Sequence, residues 1–252
     1  MSPAPSSFSF EPLYLALAAV AAALYLRAAR AERVPGWRTA LFFLGLLLVA
    51  GALNSPLETI ATNYLLLFHL LQNVMIADWA PPLLILGLTR RMRVEIARRG
   101  GRTFDVLTRP KVALPVWIVG WYGIHLALFY DFALEHAWVL NVEHALLIAI
   151  GFLFWWPVLA GEPHEVGVPI KIGYLGAAFV GASFLGLGLT FATTPFYDFY
   201  ERAPRLWGIS AEKDQNFGGI LMNVEQALVF LAAILYFVAR LLPEEEHTRA
   251  DA

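Results

Sequence analysis

The sequence predicts an all-α fold: a polytopic membrane protein, a bundle of seven transmembrane helices with its N-terminus outside and its C-terminus in the cytoplasm. Three observations predict it. The 252 residues are 59% hydrophobic and only 15% charged, against about 25% charged in an ordinary soluble domain. Seven apolar stretches approach or exceed the roughly 20 residues that cross a bilayer. The basic residues alternate between the two sides of those stretches in the way the positive-inside rule requires.

The spans read as 11–29, 37–54, 62–88, 112–133, 137–160, 169–193 and 217–242. They form one membrane domain, 1–243, followed by an acidic tail, 244–252, expected to be solvated and frayed. Span 1 follows MSPAPSSFSFEP, which carries no Lys or Arg. Its apolar run is also longer than the core of a signal peptide, so it reads as a true span. Span 3 contains Pro81-Pro82, which cannot continue a regular helix and predicts a kink or an end there. Trp155-Trp156 near the inner end of span 5 fits an interfacial aromatic belt. In span 6, Ala178, Ala182 and Gly186 make a close-packing stripe.

Fifteen of the eighteen Lys and Arg residues fall on one side, eight of them in the loop 89–111; Arg202, Arg205 and Lys213 lie on the other. A basic loop beside anionic lipid explains that cluster, and no nucleic acid is expected as a partner. Cysteine is absent. That excludes disulfides, thiolate metal sites and CxxC redox chemistry. No nucleophile–base arrangement, phosphate loop or HExxH motif is present, and no enzymatic activity is expected. Span 7 has no Lys to hold a retinal Schiff base, which rules out a rhodopsin.

Ionisable side chains are costly in hydrocarbon and usually face a bundle interior, a cavity or one another. Three histidines occupy separate apolar segments: His69, His125 and His144. Counted from the span ends at 1.5 Å per residue, all three lie roughly 10 Å below the outer surface, with Met222 and Glu225 of span 7 at about the same level. The expected layer is therefore a His/Met/carboxylate metal site. Asn73 stands four residues after His69 on the same face, while Asp131 and His136 at the outer mouth could lead a cation inward. Copper suits such donors, thioether favouring Cu(I); zinc fits His and Glu almost as well, and two histidines could also ligate haem. Asp78 lies deeper, with no partner apparent from the sequence.

Five fragments in order, SPLETIA (55–61), FHLLQ…APPLLILG (68–87), IHLALFYD (124–131), EHALLIAIGFLFWWPVL (143–159) and DQNFGGILMNV (214–224), carry a resemblance. The chain resembles the seven-helix CtaG family of cytochrome c oxidase assembly factors. The resemblance implies a multi-pass protein of the bacterial plasma membrane, partnered by oxidase subunits and helping to deliver copper to them. It places His69, His125, His144, Asp214 and Met222 at the family's polar positions. The family usually has a second His where this chain has Asn73, a poor copper ligand. The alternative to copper handling is a non-metal scaffold or accessory oxidase subunit whose histidines serve as interhelical hydrogen bonds.

Overall fold

The computed structural model describes residues 2–250, with side chains through Leu241; the side chains of the acidic tail lie outside the described residues. Among the described residues all the regular structure is helical, without strands. Helices α1 (Pro12–Ala29) and α2 (Gly36–Leu53) are the first two spans. A short helix α3 (Pro56–Asn63) follows, N-capped by Ser55, whose hydroxyl accepts from the Leu57 N–H at 3.2 Å. Span 3 is α4 (Leu66–Val74), a π-helical turn (Met75–Trp79) and α5 (Ala80–Gly87). It is the central pole of the bundle: 61% of its most apolar 18 residues are buried, against 11% for α1.

Proline explains the π turn. Pro81 and Pro82 sit in the first turn of α5, where a missing N–H is tolerated. Neither can donate to the carbonyls of Ala77 and Asp78 behind them, so the ladder widens and the Ala80 N–H reaches back to the Met75 carbonyl. The expected kink at Pro81-Pro82 is thus an in-line π bulge. Its loosened Ala77 carbonyl lies against Gly151, where a Cβ would come within 2.2 Å of the oxygen.

The predicted basic loop 89–111 is instead an amphipathic helix, α6 (Arg90–Leu107), capped by Thr89 and broken at Gly101, whose φ of 57° suits glycine. Only Met92 of α6 is buried. Its charged face keeps it at an interface rather than across the bilayer. The predicted straight span 112–133 is also different. It is α7 (Pro110–Ile124) and α8 (Ala127–Glu135), bent by 67° at His125 and Leu126. Among the described residues, six helices are long and apolar enough to cross a membrane, and seven if this pair counts as one broken span.

Helix α9 (Ala137–Leu159) and helix α10 (Val168–Phe191) are spans 5 and 6. A five-residue helix α11 (Asp198–Arg202) precedes α12 (Ala211–Ala250), which begins six residues before the predicted start of span 7. Small residues let α10 and α12 pack closely: a Cβ on Gly219 would meet the Gly186 carbonyl at 2.6 Å.

Backbone contact at Gly151 gives a direct test. Gly151→Ala drives a methyl into the Ala77 carbonyl, and overpacking of this kind costs about 1–3 kcal/mol. Thermal unfolding in detergent should show Gly151→Ala clearly destabilised and Gly123→Ala, which meets nothing within 4 Å, close to wild type.

Candidate functional site: a buried histidine–tyrosine cluster

The three predicted histidines do gather at one end of the bundle. His69 on α4 has its ring centroid 6.0 Å from that of His144 on α9 and 4.8 Å from Tyr130 on α8. His125, at the break between α7 and α8, lies 5.8 Å from Tyr130 on another side. Tyr130 is therefore the hub, with Tyr197 4.6 Å and Tyr200 6.4 Å away. Tyr14 of α1 closes the cluster 6.1 Å from His144. The three imidazoles are 0%, 5% and 1% exposed in chain order, so water reaches none of them freely.

The hydrogen bonds assign the tautomers of two of these rings. Tyr200 donates its O–H to the Ala61 carbonyl at 2.5 Å, leaving its oxygen to accept from His69 Nδ1–H at 2.8 Å. His125 Nδ1 lies 2.7 Å from the Trp121 carbonyl, which can only accept. Both rings in their neutral form thus carry the proton on Nδ1 and present Nε2 as a lone pair. The Nε2 atoms of His69, His125 and His144 have no hydrogen-bond partner among the described residues. Nor have the Tyr130 hydroxyl, both oxygens of Glu143 or both amide atoms of Asn73. His69 Nε2 is 3.6 Å from a Glu143 oxygen, and Asn73 faces the same carboxyl.

An imidazole held by Nδ1–H with a bare Nε2 is the arrangement of a metal ligand oriented from behind. The donor chemistry therefore fits copper or zinc, at His69, His125 and His144 with Glu143 beside them. Among the described residues, however, no three His, Asp or Glu side chains converge in metal-holding geometry. The cluster supplies the donors without their final convergence.

Other predicted site residues hold the frame. Asp214 accepts from the N–H groups of Leu66 and Leu67 at 2.8 and 2.9 Å and so caps α4, with Arg205 4.0 Å away. Asp131 accepts from the N–H groups of Asp198 and Phe199 at 3.2 and 3.0 Å. It therefore fixes α11, the helix that carries Tyr200, rather than presenting a free carboxylate at the mouth. His136 stands at the N-cap position of α9 without a side-chain cap bond, its Nδ1 lying 2.9 Å from the Phe132 carbonyl. Met222 is fully buried in the apolar core.

Glu225 leaves the expected layer. It sits beside Asp78, and its carboxylate accepts at 2.6 Å from Nε1 of Trp79, ten residues beyond His69 along span 3. That is roughly 15 Å deeper by helical rise. The depth estimate fails because α12 starts at Ala211 rather than at 217. With Asp214 level with Leu66, Gly218 is the residue beside Leu67 and Leu70, and Glu225 falls opposite the π turn.

Glu143 and the tyrosines are the members that sequence reading passes over. Glu143 had a signal: a carboxylate inside an apolar run, directly beside His144. Tyr200 had none, because only the fold returns the 191–210 connection over α4.

A family model described as cytochrome c oxidase caa3 assembly factor (Caa3_CtaG) matches residues 18–244. The chain belongs to that family. Membership indicates a membrane-embedded assembly factor whose partner is cytochrome c oxidase. No curated protein and no solved structure gives a match.

The Tyr200 bond can be tested within this assembly factor. Tyr200→Phe leaves His69 Nδ1–H and the Ala61 carbonyl unpaired in a buried site, at a cost of about 1–3 kcal/mol. Thermal unfolding should register that loss. In ¹⁵N spectra of histidine-labelled protein, the Nδ1-protonated signature of His69 should appear in wild type and give way to a mixture in the variant.

Proposed function

We propose that this assembly factor handles copper for cytochrome c oxidase, holding the ion transiently at His69, His125 and His144 beside Glu143 and releasing it to an oxidase subunit. The observation that carries the reading is the pair of imidazoles tethered through Nδ1, His69 and His125, which flank Tyr130 and whose buried Nε2 atoms, like that of His144, have no hydrogen-bond partner among the described residues. Imidazole is a good copper donor, and the absence of cysteine keeps the site from binding the ion too tightly to exchange it. Incomplete convergence of the ligands suits a carrier, which must give up its cargo. By the positive-inside rule the cluster belongs to the outer leaflet of a bacterial plasma membrane, the oxidising side. Neither Met222, packed in the apolar core, nor Glu225, bound to Trp79, is needed as a ligand.

A second reading has its own observation. Asn73 faces Glu143, and no three ligand side chains share metal-holding geometry. On that basis the cluster is a polar clamp, and the protein is a scaffold for oxidase subunits. The two separate cleanly. Detergent-purified protein is loaded with Cu(I), desalted and assayed for metal, wild type against His69→Gln and His144→Gln. The copper reading expects near-stoichiometric copper in wild type and most of it lost in each variant, with both variants still folded by circular dichroism. Equal copper in all three, with oxidase still co-purifying, selects the scaffold.

A further inference from the structure

The end of the bundle opposite the histidines carries a groove of about 1210 Å³ between α1, α2, α5, α6 and α9. It is larger than the roughly 300–1,000 Å³ of a small-molecule site. Its wall is apolar: Ala21, Leu24 and Ala28 of α1 face Leu46 of α2, Leu84 of α5 and Phe152 of α9. Its mouth is basic, lined by Arg27, Arg90 and Arg91.

Helix α1 is tied to the bundle at two buried points, and the groove opens beside the second of them. Tyr14 and Tyr25 are the buried residues of α1. Tyr14 donates to the Asn141 carbonyl at 2.5 Å and Tyr25 to the Gly87 carbonyl at 3.2 Å. Alanines occupy much of the stretch between and beyond these tethers, too small to fill the gap to α5 and α9. At the mouth, the two acidic residues are already engaged. Glu95 is bound by Arg98 and Arg99, whose guanidinium groups hold its carboxyl down to about 2. Glu32 accepts from the Thr89 hydroxyl at 2.6 Å. Arg27 makes no hydrogen bond or ion pair among the described residues, and Arg91 touches only the Ala31 carbonyl, at 3.4 Å.

We propose that this groove is the binding site of an anionic diacyl phospholipid, its acyl chains lying along Ala21, Leu24, Leu46 and Phe152 and its phosphate held by Arg27 and Arg91, with Arg90 at the rim. Position and charge select this occupant. The apolar part runs along the C-terminal half of the α1 span, from Ala21 to Ala28, where hydrocarbon is the solvent, and the cations lie where α1 meets the interfacial helix α6. Basic pockets between spans at this level are suited to anionic head groups. The lipid completes the packing of α1 against α5 and α9, which the protein's own side chains leave unmade.

The test uses the full chain in mild detergent, with phosphatidylglycerol, phosphatidylcholine and inorganic phosphate as separate additions. Native mass spectrometry should show one phosphatidylglycerol retained after delipidation washes that strip phosphatidylcholine. Phosphatidylglycerol, and not phosphate, should raise the thermal midpoint. Arg27→Gln with Arg91→Gln should weaken that retention on the order of tenfold, since each interfacial cation adds a several-fold preference for anionic lipid. Leu24→Trp, which fills the wall without changing charge, should abolish retention while the protein stays folded. Equal retention of both lipids, or wild-type retention in both variants, would overturn the proposal; stabilisation by phosphate alone would replace it with a simple anion site.

Discussion

One carboxylate sets the register of the whole bundle. Asp214, fully buried at the head of α12, accepts the first N–H groups of α4, which follow the extended residue Leu65 and have no intrahelical partner. In a low-dielectric interior such a charge-assisted cap is strong, and leaving those donors unpaired would be correspondingly expensive. The bond locks spans 3 and 7 side by side and parallel, so every polar residue of one is assigned a level on the other. Gly218 meets Leu70 and Glu225 meets Trp79 as consequences. The position of the histidine cluster, just below the cap, follows from the same lock.

A second carboxylate repeats the device at smaller scale. Asp131 on α8 gathers the backbone N–H groups of Asp198 and Phe199. It thereby brings Tyr197 and Tyr200 down onto the cluster, where Tyr197 donates to the His125 carbonyl at 3.1 Å and Tyr200 orients His69. The sharp bend between α7 and α8 belongs to this arrangement. It turns α8 so that Tyr130 points inward between His69 and His125 instead of toward lipid, and it leaves a His125 carbonyl free to be bonded by a tyrosine from another segment. Irregular backbone within a membrane protein is tolerated where the protein itself satisfies it. Here the phenol hydroxyls do so.

These particulars show what the sequence makes legible. Composition and apolar run length are local properties, and they yield the helical membrane class and most of the spans. The three histidines are legible for the same reason, since an ionisable group in an apolar run announces itself. The break at His125 is not, because the segment 112–133 is apolar apart from His125 and Asp131 and lacks a Gly-Pro pair at that point. Helix α6 hides behind its own arginines, which read as loop charge until a fold gives Met92 a core to face. Glu225 is misplaced by counting from an apolar boundary: the polar first turn of α12, Ala211 to Asn216, is helix that hydropathy alone does not see.

The register that removes Glu225 from the histidines also supplies the partner that Asp78 lacks in the sequence. Asp78 lies in the π turn, fully buried, and faces Glu225 and Gln226 on α12. A regular α-helix would rotate residue 78 by a different angle relative to residue 69; the extra residue in the π turn changes which face it presents. The proline pair, the bulge and the carboxyl pair are therefore one structural event. Pro81 and Pro82 withhold N–H groups, the ladder widens at Met75–Trp79, Ala77 turns its carbonyl to Gly151, and Asp78 and Trp79 are carried round to α12. The polar core is divided into two storeys by this event, an upper one of imidazoles and phenols beneath the Asp214 cap and a lower one of carboxyls and amides at the bulge. Asn73 marks the seam between them, one helical turn below His69 and just before the π turn begins.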